Sequence, residues 1–277
     1  MKQLKISFQG EFGAFSEQAA LAYFGNGCDP VPRENFRDVF EDVKRGKCDF
    51  GIVPVENSLF GRVHQNSDLL QEFPLNIVGE VKLRIRMNLM ALPSAKLNDI
   101  RDVYSHPQAL GQSDKFLRSL KEVKLHQFYD TAGAAKMVAE ATSTTTAAIA
   151  SEQAARHYGL KILKKGIETD HRNFTRFVVL SKKEIVPKAR AKTSLIFATK
   201  HIPGSLVQCL SLFSERKINL MKIESRPYVG KPWEYLFFVD VEADRRDTDF
   251  NAAYKQLKKF TSYLKVLGSY DIGKVVK

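Results

Sequence analysis

Thr175 and Arg176 stand inside an apolar, strand-like run, Asn173–Leu180, and both side chains are suited to chemistry. A threonine hydroxyl can donate and accept hydrogen bonds, and an arginine is a fixed cation. In a regular strand Thr175 and Phe177 share one face, while Arg176 lies on the other. Either this run places Thr175 at a reactive site, or it is an edge strand whose two polar side chains are solvated.

A second polar cluster, Glu56-Asn57-Ser58, follows the buried-strand pattern Cys48–Val55. Parallel α/β sheets bind ligands at the carboxyl ends of their strands, and short hydrogen-bonding side chains suit that edge. Glu56 can serve as a general acid or base if it is desolvated. Alternatively, its carboxylate fixes the loop by accepting hydrogen bonds from backbone N–H groups.

A glycine-containing segment, Gly10–Ser16, links the strand pattern Leu4–Phe8 to a helix pattern. Backbone N–H groups at a helix N-terminus lack intrahelical partners, so such a loop is suited to binding an anion. We expect Ser16 to cap this helix. The alternative is a tight turn before a capped helix. A later helix is expected to open with Asp130 or Thr131 as its cap.

The elements that must position these residues alternate between strand and helix patterns up to about residue 170, which predicts an α/β fold with a mostly parallel sheet. The number of strand–helix units favours two lobes with a cleft between them. The charged, aperiodic segment Ser181–Lys192 is the best linker in the chain. The following residues predict a ferredoxin-like βαββαβ domain, with an exposed sheet or edge available for pairing with a second copy.

The composition, 44% hydrophobic and 27% charged in 277 residues, is typical of a globular protein. No apolar run approaches the roughly 20 residues that span a bilayer, and the start shows no signal segment, so we expect a cytoplasmic protein. Cys28, Cys48 and Cys209 are scattered, which favours buried thiols over disulfides or metal ligands. The six histidines show no ligand spacing, so we expect no metal site.

The formal net charge is +12, and the excess of positive charge lies in the second half of the chain. Such an excess raises the question of nucleic-acid binding. The sequence contains no helix-turn-helix, finger or RNP-type signature, and its basic residues are dispersed along periodic helices. A small anionic ligand is therefore the simpler partner.

Several sequence blocks together resemble the prephenate dehydratases, and the C-terminal part resembles an ACT regulatory domain. The blocks are, in order, Gly10–Ser16, Val53–Ser58 with Gly61–Val63, His106–Leu110, Asn173–Phe177, Pro203–Leu206 and Glu224–Pro227. They occur in the family's order and cover essentially the whole chain. The helical mutase domain of bifunctional relatives is not seen before them, so we expect a monofunctional enzyme.

The resemblance implies a two-lobed catalytic domain like the type-II periplasmic-binding proteins, followed by the βαββαβ ACT domain. The expected catalytic domain is 1–182, with lobes of about 1–75 plus 165–182 and 76–164, and residues 183–192 link it to the ACT domain, 193–277. The implied reaction converts prephenate to phenylpyruvate with loss of CO2 and water, in L-phenylalanine biosynthesis. Glu11 and Ala14 depart from the family's usual loop, as in enzymes that prefer arogenate, so arogenate dehydration is the alternative.

The resemblance makes Thr175 the catalytic donor to the departing ring hydroxyl, with Glu56 or His106 as a stronger acid behind it. It implies no metal and no organic cofactor. Arg176 either contacts the substrate, if the strand end twists, or braces the lobe through Glu56 or Asp170. The expected substrate-binding residues are Gly13, Ser16, Asn57, Ser58, Thr131, Asn173, Arg176 and Phe177.

The same resemblance implies feedback by L-phenylalanine, bound between two ACT domains of a homodimer or homotetramer. The start of the first helix of this domain would hold the effector's carboxylate, and Glu224 its ammonium group. The expected effector-binding residues are Gly204, Ser205, Leu206, Val207, Asn219, Glu224 and Ser225. A non-catalytic amino-acid sensor is the less favoured alternative, and neither nucleic acid nor membrane is an expected partner.

Overall fold

The computed structural model describes residues 3–200 and 202–276. Strands and helices alternate in the order β1 (Leu4–Gln9), α1 (Phe15–Phe24), β2 (Cys28–Arg33), α2 (Phe36–Arg45), β3 (Phe50–Asn57), β4 (Gly61–Arg62), α3 (His64–Glu72), β5 (Asn76–Arg84), β6 (Asn88–Ala91), β7 (Asp102–Ser105), α4 (Pro107–Gln112), α5 (Asp114–Leu117), β8 (Lys124–Gln127), α6 (Thr131–Glu140), β9 (Thr146–Ala150), α7 (Glu152–His157), β10 (Lys161–Lys164) and β11 (Phe174–Ser181). They continue with β12 (Ala191–Thr199), α8 (Ser205–Ser214), β13 (Leu220–Pro227), β14 (Tyr235–Val241), α9 (Thr248–Phe260), β15 (Thr261–Asp271) and β16 (Val275–Val276).

The chain forms two compact units. The first unit contains the residues up to Asn66, Val81–Phe177 and the chain from Val275 onward. The second unit contains Ser67–Glu80 and Val178–Lys274. The predicted domain boundaries stay a prediction; these units differ from them in assigning Ser67–Glu80 to the same unit as the βαββαβ elements.

Two sheets give the N-terminal part of the chain its two lobes, which confirms the predicted two-lobed α/β fold. One has the strand order β16-β5-β11-β3-β1-β2, with β4 paired to β3, and the other has the order β10-β6-β9-β7-β8. The edge strand β2 is absent from the sequence prediction because Pro30 and Pro32 interrupt its pattern. Proline is tolerated there because an edge strand has one side without ladder hydrogen bonds.

The run from Asn76 to Leu92 has the pattern of one long strand, but it forms two strands in different sheets. β5 ends at Arg84 and β6 begins at Asn88. The crossing residues are held by specific bonds: Ile85 N–H donates to Asn173 O at 2.9 Å, and Met87 N–H donates to Glu168 Oε2 at 3.0 Å. Arg86 lies in this crossing, so it does not continue the strand face that carries Lys82 and Arg84. An unbroken apolar run cannot reveal such a change of sheet.

Several helices begin or end at residue types that favour those positions. Gly46 ends α2 in the left-handed region with φ 75°, and Pro107 is the first residue of α4. Ser151 caps α7 by accepting a hydrogen bond from Ala154 N–H at 2.9 Å. The prediction that Ser16 caps α1 is wrong: the N-cap is Ala14, and the helix begins at Phe15.

The second unit contains the predicted βαββαβ order, and its antiparallel sheet has the order β13-β14-β12-β15. Apolar residues from one face of this sheet and from α8 and α9 form a buried core that includes Leu195, Phe197, Phe213, Phe250 and Leu257. β13 is an edge strand. The ferredoxin-like prediction is therefore confirmed, and the open edge that it implied is present.

Ser67–Glu80, which comprises most of α3 and the first half of β5, is built into the second unit. Lys265 Nζ donates to the carbonyl oxygens of Leu70, Gln71 and Phe73 at 2.8, 2.9 and 2.7 Å. A Cβ added to Gly268 would lie 2.1 Å from Ile77 O, so the two backbones are in close contact. These contacts order a segment that lies more than 100 residues from β12 in the sequence.

The three cysteines are free and buried, as predicted. Within residues 3–200 and 202–276, the structure has no helix that is both long and apolar enough to cross a membrane.

Candidate active site

A cleft of about 680 Å³ in the first unit is lined from both lobes. Five of the predicted site residues line it, together with His106: Ser16, Asn57, Thr131, Thr175 and Phe177. Ile85 and Met87, from the crossing between the sheets, add apolar surface. The cleft therefore combines an apolar wall with hydroxyl and amide groups, as is usual for small-molecule sites.

Thr175 and Phe177 lie on the cleft side of β11, as the strand period predicted. Thr175 is 9% exposed, and its Oγ1 accepts a hydrogen bond from Asn57 Nδ2 at 3.0 Å. Asn57 ends β3, and its Oδ1 accepts hydrogen bonds from the N–H groups of Leu59 and Phe60 at 3.0 and 3.1 Å. The loop after β3 thus orients the amide that contacts the threonine.

Asn173 extends this set of contacts towards the second lobe. Its Oδ1 accepts a hydrogen bond from Asn57 Nδ2 at 2.8 Å, and its Nδ2 donates to Gln112 Oε1 at 2.9 Å. Asn173 is fully buried, and Gln112, the last residue of α4, lines the cleft. Gln112 is not among the residues predicted from the sequence, although it lies two residues after the block His106–Leu110 that carries part of the resemblance.

Ser58 uses its hydroxyl to fasten β3 to the start of β11. Ser58 Oγ donates to Arg172 O at 2.7 Å and accepts from Phe174 N–H at 2.9 Å. The Ser58 N–H donates to Phe174 O at 2.8 Å. These contacts favour a structural role over the predicted substrate contact.

Glu56 and Arg176 face each other on the side of the sheet opposite Thr175. Arg176 Nη1 lies 3.5 Å from Glu56 Oε2, and the arginine side chain is 13% exposed. The contact corresponds to the alternative in which Arg176 braces the lobe through Glu56. Because this side is not the cleft side of β11, neither side chain is placed as a group that touches substrate.

Gly13 packs the first lobe against the second. Its φ is +88°, its N–H donates to Glu17 Oε2 at 2.5 Å, and its carbonyl accepts from Ser151 Oγ at 2.6 Å. A Cβ at this position would lie 2.5 Å from Ala154 Cα, so only glycine fits. Its backbone groups are already engaged, and the neighbouring Gly10 lines the cleft instead.

Two helices begin at the cleft. Ser16 lies in the first turn of α1, and Thr131 is the first residue of α6. Asp130 caps α6 by accepting a hydrogen bond from Gly133 N–H at 2.5 Å. Helix N-termini carry partial positive charge and free N–H groups, so both are suited to carboxylate groups of a ligand.

Two titratable groups of the cleft are shifted by burial. Burial lowers the pKa of His106, although the charge of Asp130 opposes the shift. Its Nδ1 accepts a hydrogen bond from Gln108 N–H at 3.2 Å, which leaves Nε2–H as the donor of the neutral ring. Burial also raises the pKa of the Asp130 carboxyl, against the effect of the Gly133 N–H.

The effector residues predicted in the second unit are in two places. Gly204, with φ +79°, is the N-cap of α8, and no described side chain caps this helix. Ser205 Oγ donates to Lys200 O at 2.6 Å. In β13, Glu224 lies 3.3 Å from Lys222 Nζ, and the neighbouring Ser225 is on the opposite face of the strand.

Leu206 packs against the core of the second unit, whereas Val207 is 66% exposed. Asn219 Nδ2 donates to Glu242 Oε2 at 3.4 Å. The predicted effector residues therefore include one residue packed on the core, several exposed groups and three side chains that already have partners, Ser205, Asn219 and Glu224.

Comparison with known proteins places these features in a family. Residues 6–185 match the family model for prephenate dehydratase. The chloroplastic arogenate dehydratase/prephenate dehydratase 2 of Arabidopsis thaliana is 43% identical over 281 residues, which cover 98% of this chain and 73% of the relative. Prephenate dehydratase from Arthrobacter aurescens, solved in complex with L-Phe, matches with a TM-score of 0.88 at 27% identity, covering 97% of this chain and 90% of that one.

A further solved structure, described as GqqA, a novel type of quorum-quenching acylase, also has a TM-score of 0.88, at 30% identity, and covers 97% of this chain and 98% of its own. A shared fold does not decide the reaction. The family model, however, matches the residues that build the cleft, including Asn57, Thr175 and both helix starts. On that match, the chain belongs to the prephenate dehydratase family.

Proposed function

We propose that this protein catalyses the decarboxylating dehydration of prephenate to phenylpyruvate in L-phenylalanine biosynthesis. The observation that carries the proposal is the Thr175 hydroxyl, placed in the cleft with its oxygen already accepting from Asn57 Nδ2 at 3.0 Å. A hydroxyl whose oxygen is engaged in this way has its own proton available for a departing group.

The reaction needs no electrons from the protein. The C–C bond to the ring carboxylate breaks, its electron pair shifts through the ring, and the C–O bond to the ring hydroxyl breaks with its own pair. The ring becomes aromatic, which supplies the driving force. One proton is consumed, because the dianionic substrate gives CO2, water and a monoanion.

In this scheme Thr175 donates a hydrogen bond to the departing oxygen and stabilises its developing charge. A threonine hydroxyl is too weak an acid to supply the proton for good, so the proton comes from solvent or from His106, which lines the same cleft. Glu56 is not favoured as the acid, because it lies beside Arg176 on the opposite side of β11.

The substrate's two carboxylates are assigned to the starts of α1 and α6, with the Ser16 and Thr131 side chains beside them. Phe177, Ile85 and Met87 supply an apolar surface for the ring. Asn57 and Asn173 have their polar atoms engaged with other protein groups, so they are assigned to positioning Thr175 rather than to binding substrate.

Arogenate is the second candidate substrate. It carries an ammonium group where prephenate carries a keto group. Glu34 and Asp130 line the cleft, and a carboxylate there is suited to an ammonium group. The Arabidopsis relative named above for both activities adds to this case.

The test is to incubate the purified protein separately with prephenate and with arogenate and to measure phenylpyruvate and phenylalanine. Both substrates are tested with the same enzyme preparation. We expect prephenate to be turned over faster than arogenate. Faster formation of phenylalanine from arogenate would favour the second candidate. An enzyme that hydrolyses acyl amides but forms neither phenylpyruvate nor phenylalanine would contradict both candidate functions.

We also propose feedback inhibition by L-phenylalanine bound between two copies of the ACT domain. The support is the uncapped start of α8 at Gly204, the open edge of β13, and exposed apolar residues beside it, Met221 and Ile223, each 40% exposed. An amino-acid carboxylate suits the helix start, and Glu224 would have to exchange Lys222 for the ligand's ammonium group. A homodimer or homotetramer and a cytoplasmic location stay predictions from the sequence.

Millimolar L-phenylalanine should lower turnover and raise the melting temperature, since a ligand that binds only the folded state stabilises it. Glu224→Gln should weaken both effects, whereas Glu215→Gln, at an exposed position at the other end of α8, should change neither. Unchanged melting and activity with L-phenylalanine would contradict the feedback proposal but not the dehydratase proposal. Light scattering on the same samples gives the oligomeric state.

A further inference from the structure

We infer that a hydrogen-bond chain of fixed polarity, Gln112–Asn173–Asn57, sets the direction of the Thr175 hydroxyl and makes Asn57 a positioning residue for the reaction. The inference rests on the proposed role of Thr175 as a donor to substrate. It goes further by naming the groups that direct the Thr175 O–H towards the substrate rather than towards Asn57.

The polarity begins with the orientation of the Asn57 amide. Its Oδ1 accepts from two backbone N–H groups, those of Leu59 and Phe60, at 3.0 and 3.1 Å. A flipped amide would turn its own NH2 group towards these donors. The amide nitrogen is therefore fixed on the side of Asn173 and Thr175.

Both protons of Asn57 Nδ2 are used. One is donated to Asn173 Oδ1 at 2.8 Å and the other to Thr175 Oγ1 at 3.0 Å. Because an amide NH2 group cannot accept, the Thr175 O–H cannot be satisfied by Asn57. Its proton must turn to another acceptor, and the open direction is the cleft that Thr175 lines.

The third hydrogen bond, from Asn173 to Gln112, has a direction fixed in the same way and reaches the second lobe. Asn173 accepts from Asn57 through Oδ1, so its Nδ2 is the atom that faces Gln112 Oε1, at 2.9 Å. Asn173 is fully buried and Gln112 is 8% exposed, so water does not compete for these groups. The chain thus links the loop after β3, the start of β11 and the end of α4.

The sharpest test is a double-mutant cycle between Asn57→Asp and Thr175→Ala. An ionised carboxylate only accepts, so the Thr175 O–H in Asn57→Asp turns towards it and away from substrate. We expect kcat to fall about 10²-fold with KM changed less than about threefold, as for loss of one aligned donor. In the Thr175→Ala background the same change should cost less than about threefold, because the group through which Asn57 acts is absent.

The Asn57→Asp enzyme should also recover turnover as the pH falls through the pKa of the new carboxyl, since the protonated acid again has a proton to donate to Thr175. The control is Asn88→Asp, which places a carboxyl at another buried asparagine whose Nδ2 lies 3.4 Å from Ala150 O. This control should lower the melting temperature, but its effect on kcat should multiply with that of Thr175→Ala. Multiplicative losses for Asn57→Asp as well would overturn the proposal.

A readout without substrate separates this inference from the proposed function. In ¹⁵N–¹H spectra, Thr175→Val should shift one of the two Asn57 side-chain amide protons and hasten its exchange, and should leave the proton donated to Asn173 nearly unchanged. Two unshifted protons would show that Asn57 does not donate to Thr175, whether or not the enzyme dehydrates prephenate. If Asn57→Asp fails to fold, this measurement alone decides the question.

Discussion

In the proposed reaction, Thr175 is a weak acid made useful by the groups around it. The hydroxyl has little tendency to lose its proton, and it is not required to do so. It needs only to donate a hydrogen bond to the departing oxygen. Because the Asn57 amide donates to Thr175 and cannot accept from it, the Thr175 O–H is left to point into the cleft. Asn57, Asn173 and Gln112 are assigned in this proposal to positioning, not to contact with the reacting bond.

At this scale the first prediction concerns Thr175 itself. Thr175→Ala should lower kcat by about 10²–10³-fold, because one aligned donor at the departing oxygen is lost. KM should change little, since the proposed carboxylate sites at the starts of α1 and α6 are intact. Thr175→Ser keeps the hydroxyl and is the matched variant, which should retain most of the turnover. Equal activity in the alanine and wild-type enzymes would exclude the catalytic role.

A second prediction concerns His106 and pH. Burial lowers its pKa in the folded protein below the unfolded value of about 6.5. Between the two values the unfolded chain binds the extra proton, so this residue makes the free energy of unfolding fall as the pH drops below about 6.5. His106→Gln should reduce the loss of melting temperature between pH 7 and pH 5. An identical pH dependence of the melting temperature in the wild-type and His106→Gln proteins would show that the pKa of His106 is not lowered on folding.

At the scale of elements, β11 is the part that the sequence predicted best. Its period of two places Thr175 and Phe177 at the cleft and Arg176 on the other side, beside Glu56. The βαββαβ order was predicted equally well, because its strands and helices carry distinct periods and a charged linker precedes them. Such elements can be predicted because residues close together in the sequence determine them.

What the sequence did not predict depends on contacts between distant residues. The Gln112–Asn173 bond joins residues 61 positions apart, and nothing in either neighbourhood indicates the other. The resemblance makes Gly13 a substrate-binding residue. Its actual requirement comes from Ala154, on a helix of the other lobe. The change of sheet after Arg84 was hidden by a continuous apolar run.

Gly13 therefore gives the prediction for this scale. Gly13→Ala should lower the free energy of unfolding by about 2–4 kcal/mol, because the methyl group meets Ala154 Cα at 2.5 Å and φ is +88°. Gly204→Ala is the matched control: φ is +79° in the left-handed region, but nothing lies within 4 Å of the added Cβ. It should cost only about 1 kcal/mol of backbone strain. Denaturant unfolding of both variants measures the difference, and equal costs would show that the contact with Ala154 is not limiting.

At the scale of the whole molecule, the second unit is held together by a buried charge cluster as well as by apolar packing. Lys192 Nζ lies 2.6 Å from Glu80 Oε2 and 3.8 Å from Asp240 Oδ2, and the side chains of Lys192 and Glu80 are 3% and 0% exposed. Glu80 Oε1 also accepts from Gly273 N–H at 2.9 Å. Such a cluster favours one arrangement of strands, since any other leaves a charge buried without a partner.

Glu80→Gln tests this cluster while preserving shape. It should lower the free energy of unfolding by about 3 kcal/mol, because Lys192 keeps its charge in a buried site and loses its nearest counter-charge. The double variant Glu80→Gln with Lys192→Met should recover part of the loss. Asp114→Asn breaks an exposed pair with Arg118 and should leave the free energy of unfolding nearly unchanged. Equal effects of Glu80→Gln and Asp114→Asn on the free energy of unfolding would contradict the claim that the buried pair matters more than the exposed one.

The placement of Ser67–Glu80 has a consequence for how this protein can be cut. A fragment that stops after β11 retains Leu70, Phe73 and Ile77, each of them 2% exposed in the whole chain. It lacks Lys265 and Gly268, which hold this segment in place. Such a fragment carries an uncovered apolar surface and should aggregate. The role of the second unit is therefore better tested by point substitution than by its removal.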